Sequence, residues 1–279
     1  MALLVSREVE ERVRRLEIPF DRHGIDRFGV ARRDLARFFT MLGFFYRRYF
    51  DVTVNGIDHV PARGRAMLVG NHSGGVALDG AMTLASLFFD MEPPRLGHGM
   101  AEKFLNRVPF ASTWTNRCGQ LTGLPEHATA LLEADRLLLV FPEGARGTAK
   151  LYGDRNTLVD FGTGFVRLAL RTRSPVIPFA FLGGGEAIPT VVNLVRLGQL
   201  FGAPYVPVTP WLLPVPRPVR LEIYYDAPVV LDGTGDEEDE VIIAHVERIK
   251  ERIAALIQIG ARIRRGRGEA VTHRLGGRA

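Results

Sequence analysis

The sequence predicts an α/β fold with a mostly parallel or mixed sheet flanked by helices. Apolar runs of strand length alternate with segments of helical periodicity. The run Leu137-Leu138-Leu139-Val140-Phe141 is uninterrupted, which is typical of a parallel strand buried on both faces. Functional groups in such sheets gather beyond the carboxyl ends of the strands. We therefore expect the functional site in the segments that directly follow the apolar runs.

Composition narrows the class of protein. The chain has 279 residues, 46% of them apolar, enough for one large domain or one domain with appendages. Its net charge of +5 leaves nucleic acid, anionic membranes and phosphorylated substrates open as partners. The single cysteine, Cys118, rules out an internal disulfide framework and fits a reducing compartment. Spacings such as Cys-x-x-Cys and His-Glu-x-x-His are absent from the sequence, so we expect no metal site.

The first 50 residues are predicted to form two amphipathic helices. The first lies within 3–17, with Ser6 as its cap. The second, at about 30–50, has one wide aromatic face with arginines among and beside it, the composition of a helix lying in a membrane interface. The alternative is a helix packed on its own domain. We expect 1–50 to be a membrane-associating element, 51–263 the main domain, and 264–279 a basic, disordered tail.

The rest of the chain alternates in the order expected of the fold. Strands are predicted at 51–54, 66–69, 95–98, 119–123, 137–141, 175–182 and 219–225, and helices at 81–89, 101–103 onward, 125–134, 165–171 and 237–263. The longest uncharged run, 197–216, contains five prolines, which cannot sit in one membrane-spanning helix. We expect this run to be an apolar loop that packs on the domain or dips into an interface. The first 15 residues are too charged for a secretory signal peptide.

The segment 69–80, Val-Gly-Asn-His-Ser-Gly-Gly-Val-Ala-Leu-Asp-Gly, is the strongest candidate site. A polar turn with Asn71 and His72 follows an apolar strand, and Asp79 precedes the next helix. A histidine whose ring nitrogen is held by an aspartate is a standard general base near neutral pH. The alternative is structural, with Asn71 and His72 making turn hydrogen bonds and Asp79 capping a helix.

A second polar turn, Pro142-Glu143-Gly144-Ala145-Arg146, follows the 137–141 run and would face the first turn. In this order the chain resembles the glycerolipid acyltransferases, the lysophosphatidic acid acyltransferase superfamily. Three blocks are similar to that family's Asn-His…Asp, Phe-Pro-Glu-Gly-Thr-Arg and late apolar-Pro motifs: Asn71-His72…Asp79, Phe141 to Arg146, and Val176-Ile177-Pro178. The strand that precedes these motifs is also similar to that of the family, so the resemblance covers about 51–230.

The resemblance implies an O-acyltransferase. It would move a fatty acyl group from an acyl-CoA or acyl-carrier-protein thioester to a hydroxyl of a lysophospholipid or related glycerolipid. His72 would be the general base and Asp79 would orient its imidazole. The attack would be direct, without a serine nucleophile, a metal or any cofactor besides the thioester co-substrate.

The resemblance also implies how substrates bind. The expected substrate-binding residues are Asn71, Ser73, Gly74, Gly75, Glu143, Gly144 and Arg146. Backbone amides at 73–75 would stabilise the oxyanion, since glycines permit close approach. Arg146 would hold an acceptor phosphate, because a guanidinium fork suits that group, with Glu143 and Gly144 shaping its loop. The alternative for Glu143 and Arg146 is a local salt bridge.

The chain departs from the family's pattern in two places. The family usually has four residues between its histidine and aspartate, whereas six lie between His72 and Asp79. The pair then closes only if the glycines form an extra loop before the helix. The family also has an arginine block near the equivalent of 119–125, where this chain has only Arg117 just before it. The acceptor is therefore open among lysophospholipids, glycerophosphate, neutral acylglycerols and glycolipids.

Three alternative functions are also open for this sequence. A thioester or ester hydrolase would activate water with the same base, and a catalytically silent lipid-binding protein would keep the fold without a productive pair. A nucleic-acid-binding module is suggested by charge alone and has no supporting motif. We expect a peripheral or monotopic protein on the cytoplasmic face of a membrane, with no nucleic-acid partner.

Overall fold

The computed structural model of the chain describes residues 5–74, 78–101, 111–200 and 203–276. The described strands are β1 Asp51–Asn55, β2 Ala66–Gly70, β3 Gly97–Ala101, β4 Leu121–Thr122, β5 Leu137–Val140, β6 Val176–Leu182, β7 Val192–Leu194, β8 Val206–Val208 and β9 Arg220–Tyr225. The described α-helices are α1 Arg7–Arg15, α2 Arg32–Phe44, α3 Leu78–Phe89, α4 Ala111–Arg117, α5 Pro125–Glu133, α6 Ala145–Thr148, α7 Gly164–Thr172, α8 Gly184–Ala187, α9 Val195–Leu200 and α10 Asp239–Gly276. The helix predicted from 101–103 onward falls mainly outside the described residues, and Ala101 itself ends β3.

Seven of these strands form one sheet in the order β1-β9-β6-β2-β5-β3-β4. The five strands from β6 to β4 in this order are parallel to one another. β9 runs antiparallel to β6 and pairs in parallel with β1. The sheet is therefore mixed and mostly parallel, and the predicted α/β class is confirmed.

Helices cover both faces of the sheet. Every residue of β2 is buried, with Leu68 in one apolar cluster and Met67 and Val69 in the other. The first cluster includes side chains of α1, α2 and α3, and the second includes side chains of α5, α7 and α10. Because successive side chains of a strand point to opposite faces, burial on both faces explains the uninterrupted apolar runs of the sequence.

The two predicted N-terminal helices are present as α1 and α2. Ser6 caps α1, since its Oγ accepts a hydrogen bond from the backbone nitrogen of Val9 at 3.2 Å. The aromatic face of α2 packs inward: Phe39 is buried and stacks on Phe88 of α3, with ring centroids 3.8 Å apart. Phe44 at the end of α2 is 57% exposed. Most of this face therefore belongs to the core, and a membrane contact by residues 1–50 stays a prediction.

The apolar stretch 197–216 is more ordered than the single loop that the sequence predicts. Its beginning belongs to α9, and Val206–Val208 form β8, which pairs antiparallel with β7. Pro207 lies opposite Asn193 in this pair. A two-stranded sheet has only edge strands, and an edge strand tolerates a proline because its missing N–H can face away from the partner strand.

The last helix extends beyond the end that the sequence predicts for it. α10 continues past residue 263 to Gly276, so the segment expected as a disordered tail from 264 is helical to that point. The stretch from Asp239 to Gly276 contains no proline and is rich in arginine, a good helix former. Across the described part of the chain, no helix combines the length and the apolar character needed to cross a membrane.

Candidate active site

His72 and Asp79 form a closed pair in spite of the six residues between them. Nδ1 of His72 lies 3.0 Å from Oδ2 of Asp79, and both side chains are nearly buried. Gly74 turns the chain with φ near +90°, and the described residues resume with α3 at Leu78. The left-handed conformation of Gly74 agrees with the extra glycine loop that the sequence sets as the condition for closing the pair.

The aspartate fixes which ring nitrogen of His72 is available. An ionised carboxylate only accepts hydrogen bonds, so Nδ1 of the neutral imidazole carries the proton and Nε2 keeps its lone pair. Oδ2 of Asp79 also accepts from the backbone nitrogen of Ser73 at 3.0 Å, and Oδ1 accepts from that of Gly80 at 2.8 Å. The imidazole stacks on the ring of Phe141, with centroids 4.2 Å apart and planes 12° from parallel. The ring is therefore held in position at its edge and on one face.

Glu143 and Lys150 hold the backbone of His72. Oε2 of Glu143 accepts from the His72 nitrogen at 2.8 Å, and Nζ of Lys150 donates to the His72 oxygen at 2.7 Å. Lys150 also donates to both carboxylate oxygens of Glu143, and Oε1 of Glu143 accepts from the Val159 nitrogen at 2.9 Å. Burial lowers the pKa of the Lys150 ammonium, and the neighbouring carboxylates of Glu143 and Asp79 oppose that shift.

The sheet register explains why the two polar turns meet. β2 and β5 are adjacent and parallel, with Val69 opposite Val140, so both strands end at the same edge. Gly147 then allows the turns to approach closely. A Cβ atom at Gly147 would lie 2.6 Å from Cβ of Glu143 and 2.8 Å from Cβ of His72.

Asn71 and Ser73, like Glu143, are predicted substrate-binding residues that have structural partners. Oδ1 of Asn71 accepts from the Phe181 nitrogen at 2.9 Å, and Nδ2 donates to the Phe181 oxygen at 3.1 Å, which ties the turn to β6. The Ser73 amide already donates to Asp79, so this amide is engaged where the sequence predicts an oxyanion donor. The oxyanion role stays a prediction for Gly74 and for Gly75, which lies outside the described residues.

The Arg146 side chain is exposed, whereas the Glu143 side chain of the same motif is buried. The exposed fraction of the Arg146 side chain is 64%, and its Nη2 donates to the Asp160 backbone oxygen at 3.1 Å. The Gly144 amide donates to the Phe141 oxygen at 3.0 Å and so shapes the turn. Arg146 thus has its local partner in Asp160 and Glu143 has its partner in Lys150, and the phosphate-binding role of Arg146 stays a prediction.

Sequence reasoning missed two cations near the site. Lys150 follows Glu143 by seven residues in a stretch without a recognisable motif, so only the folded loop reveals their contact. Arg155 pairs with Glu186 at 3.1 Å. A Cβ atom at Gly185 would lie 2.4 Å from Cβ of Arg155 and 3.1 Å from the Ser73 oxygen, so Arg155 runs beside the His72 turn. Arg117, the candidate for the missing arginine block, pairs with Asp34 of α2.

Comparison with known proteins agrees with this geometry. Residues 51–182 match the family model described as Acyltransferase. Residues 51–182 are thus a segment of the acyltransferase family. A 1-acyl-sn-glycerol-3-phosphate acyltransferase of Cocos nucifera is 27% identical over 135 residues, covering 48% of this chain and 34% of the coconut protein. The crystal structure of the 1-acyl-sn-glycerophosphate (LPA) acyltransferase PlsC from Thermotoga maritima is similar in fold, with a TM-score of 0.54, 18% identity and 81% of each chain covered.

The chain also has mycobacterial relatives. An uncharacterized protein of Mycobacterium tuberculosis is 33% identical over 224 residues, which cover 76% of this chain. The chain spans 62% of the length of that relative.

The three acyltransferase motifs lie on neighbouring strands. The Asn-His…Asp block follows β2, the Phe-Pro-Glu-Gly block follows β5, and the block Val176-Ile177-Pro178 lies in β6. β2 is the central strand of these three, paired on one side with β5 and on the other with β6. The matched family segment thus assembles one site around the carboxyl end of β2.

Proposed function

We propose that this protein transfers a fatty acyl group from an acyl-CoA or acyl-carrier-protein thioester to a hydroxyl of a lysophospholipid or related glycerolipid. The observation that carries the proposal is the closed pair of His72 and Asp79, with 3.0 Å between Nδ1 and Oδ2. Family membership supports glycerolipid acyl transfer as the reaction class. No metal or cofactor besides the thioester is part of the proposal.

The proposed reaction needs one base. Nε2 of His72 takes the proton of the acceptor hydroxyl as its oxygen attacks the thioester carbonyl carbon. The tetrahedral intermediate collapses with cleavage of the carbon–sulfur bond, and the imidazolium returns its proton to the leaving thiolate. The products are an ester and a free thiol. Asp79 stabilises the imidazolium between the two proton transfers, and it does so without itself becoming protonated.

The surrounding contacts support a pre-organised base. Phe141 covers one face of the imidazole, and the Glu143–Lys150 pair fixes the backbone nitrogen and oxygen of His72. Side chains locked by packing and by hydrogen bonds keep a catalytic group within the narrow geometry that proton transfer needs. Lys150 acts here as a positioning residue.

In this proposal, Arg146 binds the phosphate group of the acceptor. Its guanidinium is exposed, and its ion pair with Asp160 is loose, at 3.8 Å between Nη1 and Oδ2. Exposed pairs of this kind contribute little stability, so an acceptor phosphate would displace Asp160 at low cost. The acceptor is proposed to reach the site from a membrane surface on the cytoplasmic side.

The direct test measures free thiol released from palmitoyl-CoA, with and without a panel of lysophospholipids. Wild-type protein is compared with His72→Ala, and thermal unfolding checks that both fold. We expect acceptor-dependent release that falls by about 10²–10⁴ in the variant, the usual contribution of a general base. Release without an acceptor would indicate a hydrolase, and equal release by His72→Ala would exclude His72 as the base.

A further inference from the structure

One exposed apolar segment next to the site has no role in the proposed chemistry. We call residues 190–200 and 203–217 the flap; it contains β7, α9, β8 and the turns that follow. Nine of the twenty exposed large apolar side chains among the described residues lie in it: Val191, Val192, Leu194, Val195, Leu197, Leu200, Leu212, Leu213 and Val215. Leu200 and Leu212 are 78% and 76% exposed. Such a concentration in a tenth of the chain marks an interaction surface.

The charges of the flap favour an anionic partner. The sequence from 190 to 217 contains Arg196 and Arg217 and no aspartate or glutamate. Arg217 lies over the ring of Trp211, 5.1 Å from its centroid, and Nε1 of Trp211 donates to the Val215 oxygen at 3.1 Å. Exposed leucines and valines with arginines and an amphipathic aromatic match the acyl region, the anionic headgroups and the interface of a bilayer.

The flap is attached directly to the candidate active site. Nδ2 of Asn193 donates to the Ala149 oxygen at 2.6 Å, one residue before Lys150. The Tyr152 nitrogen donates to the Thr190 oxygen at 2.9 Å. Just before the flap, Gly184 packs against Ser73, because a Cβ atom there would lie 1.9 Å from Ser73 Oγ. A surface that sits on the flap would therefore lie beside the His72 turn.

We propose that the flap docks this protein on an anionic lipid bilayer. This inference rests on the proposed function, since docking brings a membrane-borne acceptor to the site. It also shifts the predicted membrane contact away from the N-terminal helices, whose aromatic face is largely buried against α3. The flap and those helices remain neighbours, because Tyr49 Oη donates to the Pro216 oxygen at 2.6 Å.

Vesicle flotation tests the proposal without requiring activity. The vesicles are phosphatidylcholine alone or mixed with phosphatidylglycerol, and the variant is Leu200→Glu/Leu212→Glu. The matched control is Val230→Glu/Ile243→Glu, two exposed apolar residues outside the flap. We expect wild type and control to float with the anionic vesicles and the flap variant to lose at least about tenfold in binding. Arg196→Ala and Arg217→Ala should each reduce binding about fivefold at low salt.

Flotation of the flap variant at the wild-type level would overturn the proposal, and so would an equal loss in the control. A wild type that never floats but forms an oligomer disrupted by the flap variant would also overturn it, in favour of a contact between copies. Thiol release separates this failure from failure of the proposed function. Flotation without acyl transfer would retain docking and reject the enzyme. Acyl transfer with vesicle acceptors that is unaffected in the flap variant would reject docking and retain the enzyme.

Discussion

The ammonium group of Lys150 lies 2.7 and 2.8 Å from the two carboxylate oxygens of Glu143, and both side chains are buried. The pair neutralises two buried charges and also fixes a segment of backbone. Its two members together bind both backbone polar groups of His72. A buried charge without its partner is costly, so removal of either side chain should affect both the stability of the fold and the position of His72.

Lys150→Met should lower the free energy of unfolding by about 3–5 kcal/mol, because it leaves the Glu143 carboxylate buried and unpaired. The double variant Lys150→Met/Glu143→Gln should recover part of this loss, since it removes the unpaired charge. Urea unfolding of the two single variants and the double variant measures the coupling. Strictly additive losses would show that the two side chains do not act as a pair. Lys150→Arg, which keeps the charge, should retain more turnover than Lys150→Met.

Gly147→Ala should destabilise the site, because the new Cβ atom would lie 2.6 Å from Glu143 and 2.8 Å from His72. Overpacking of this kind costs about 1–3 kcal/mol, and we expect turnover to fall with it. Gly153→Ala is the matched control, since nothing lies within 4 Å of a Cβ atom at that position. Thermal unfolding and thiol release for both variants check the prediction. A Gly147→Ala enzyme as stable and active as Gly153→Ala would contradict the close approach of the two turns.

Arg146→Ala should raise the Michaelis constant for a phosphate-bearing acceptor by about tenfold or more, the loss expected for a hydrogen bond to a charged group. The constant for the thioester donor should change much less. Asp160→Ala, which frees Arg146 from its neighbour, is the control and should leave acceptor affinity equal or tighter. An unchanged acceptor constant in Arg146→Ala would move the phosphate to another cation, with Arg155 beside the His72 turn as the next variant to measure.

Phe39→Ala should lower the free energy of unfolding by about 3–5 kcal/mol, the range for a buried phenylalanine. Phe39 is fully buried and stacks on Phe88. Phe44→Ala on the same helix is the control, since Phe44 is mostly exposed and should cost far less. Equal, small losses in the two variants would mean that the N-terminal helices are not part of the core. Deletion of residues 1–50 is for this reason a poor test of membrane binding.

His98 should make stability depend on pH below neutrality. It is fully buried in β3, and Nδ1 donates to the Gly119 oxygen at 2.9 Å. Burial, with Arg136 nearby, lowers the pKa of His98 to about 3. The unfolded chain therefore binds a proton that the folded chain rejects as pH falls from about 6.5 toward 3, and stability is lost in that window. Between about pH 7.5 and pH 5 the loss from this group is about 2 kcal/mol.

Urea unfolding at both pH values, for wild type and His98→Asn, measures this contribution. Asparagine keeps a donor for the Gly119 oxygen and does not titrate. The variant should lose less stability than wild type on acidification, whatever its stability at neutral pH. Parallel losses in the two proteins would show that His98 is not the titrating group.

The sequence predicts the seven strands of the main sheet, the helices α1, α2, α3, α5, α7 and α10, and the meeting of the two polar turns. Burial on both faces produces uninterrupted apolar runs, and parallel strands end at one edge of the sheet. It does not predict β7, β8 or the short helices. It does not predict the closure of His72 on Asp79, since a glycine turn can take several paths. Nor does it predict the Lys150 contact, which only the folded loop after β5 creates. For α2, the sequence pattern of an aromatic face is the same whether the face contacts lipid or α3. Only the tertiary packing distinguishes the two cases.

His72 and the side chains that hold its backbone come from distant parts of the chain. The backbone nitrogen of His72 donates to Glu143, which is 71 positions later in the sequence. Its backbone oxygen accepts from Lys150, which is 78 positions later. The elements β3, β4 and α5 lie between them in the chain. Such non-local contacts form only after long loops have closed. During refolding from urea, the proposed acyl-transfer activity should therefore return later than helical circular dichroism, and a nascent chain that ends before Lys150 would lack one of the two side chains that hold the His72 backbone.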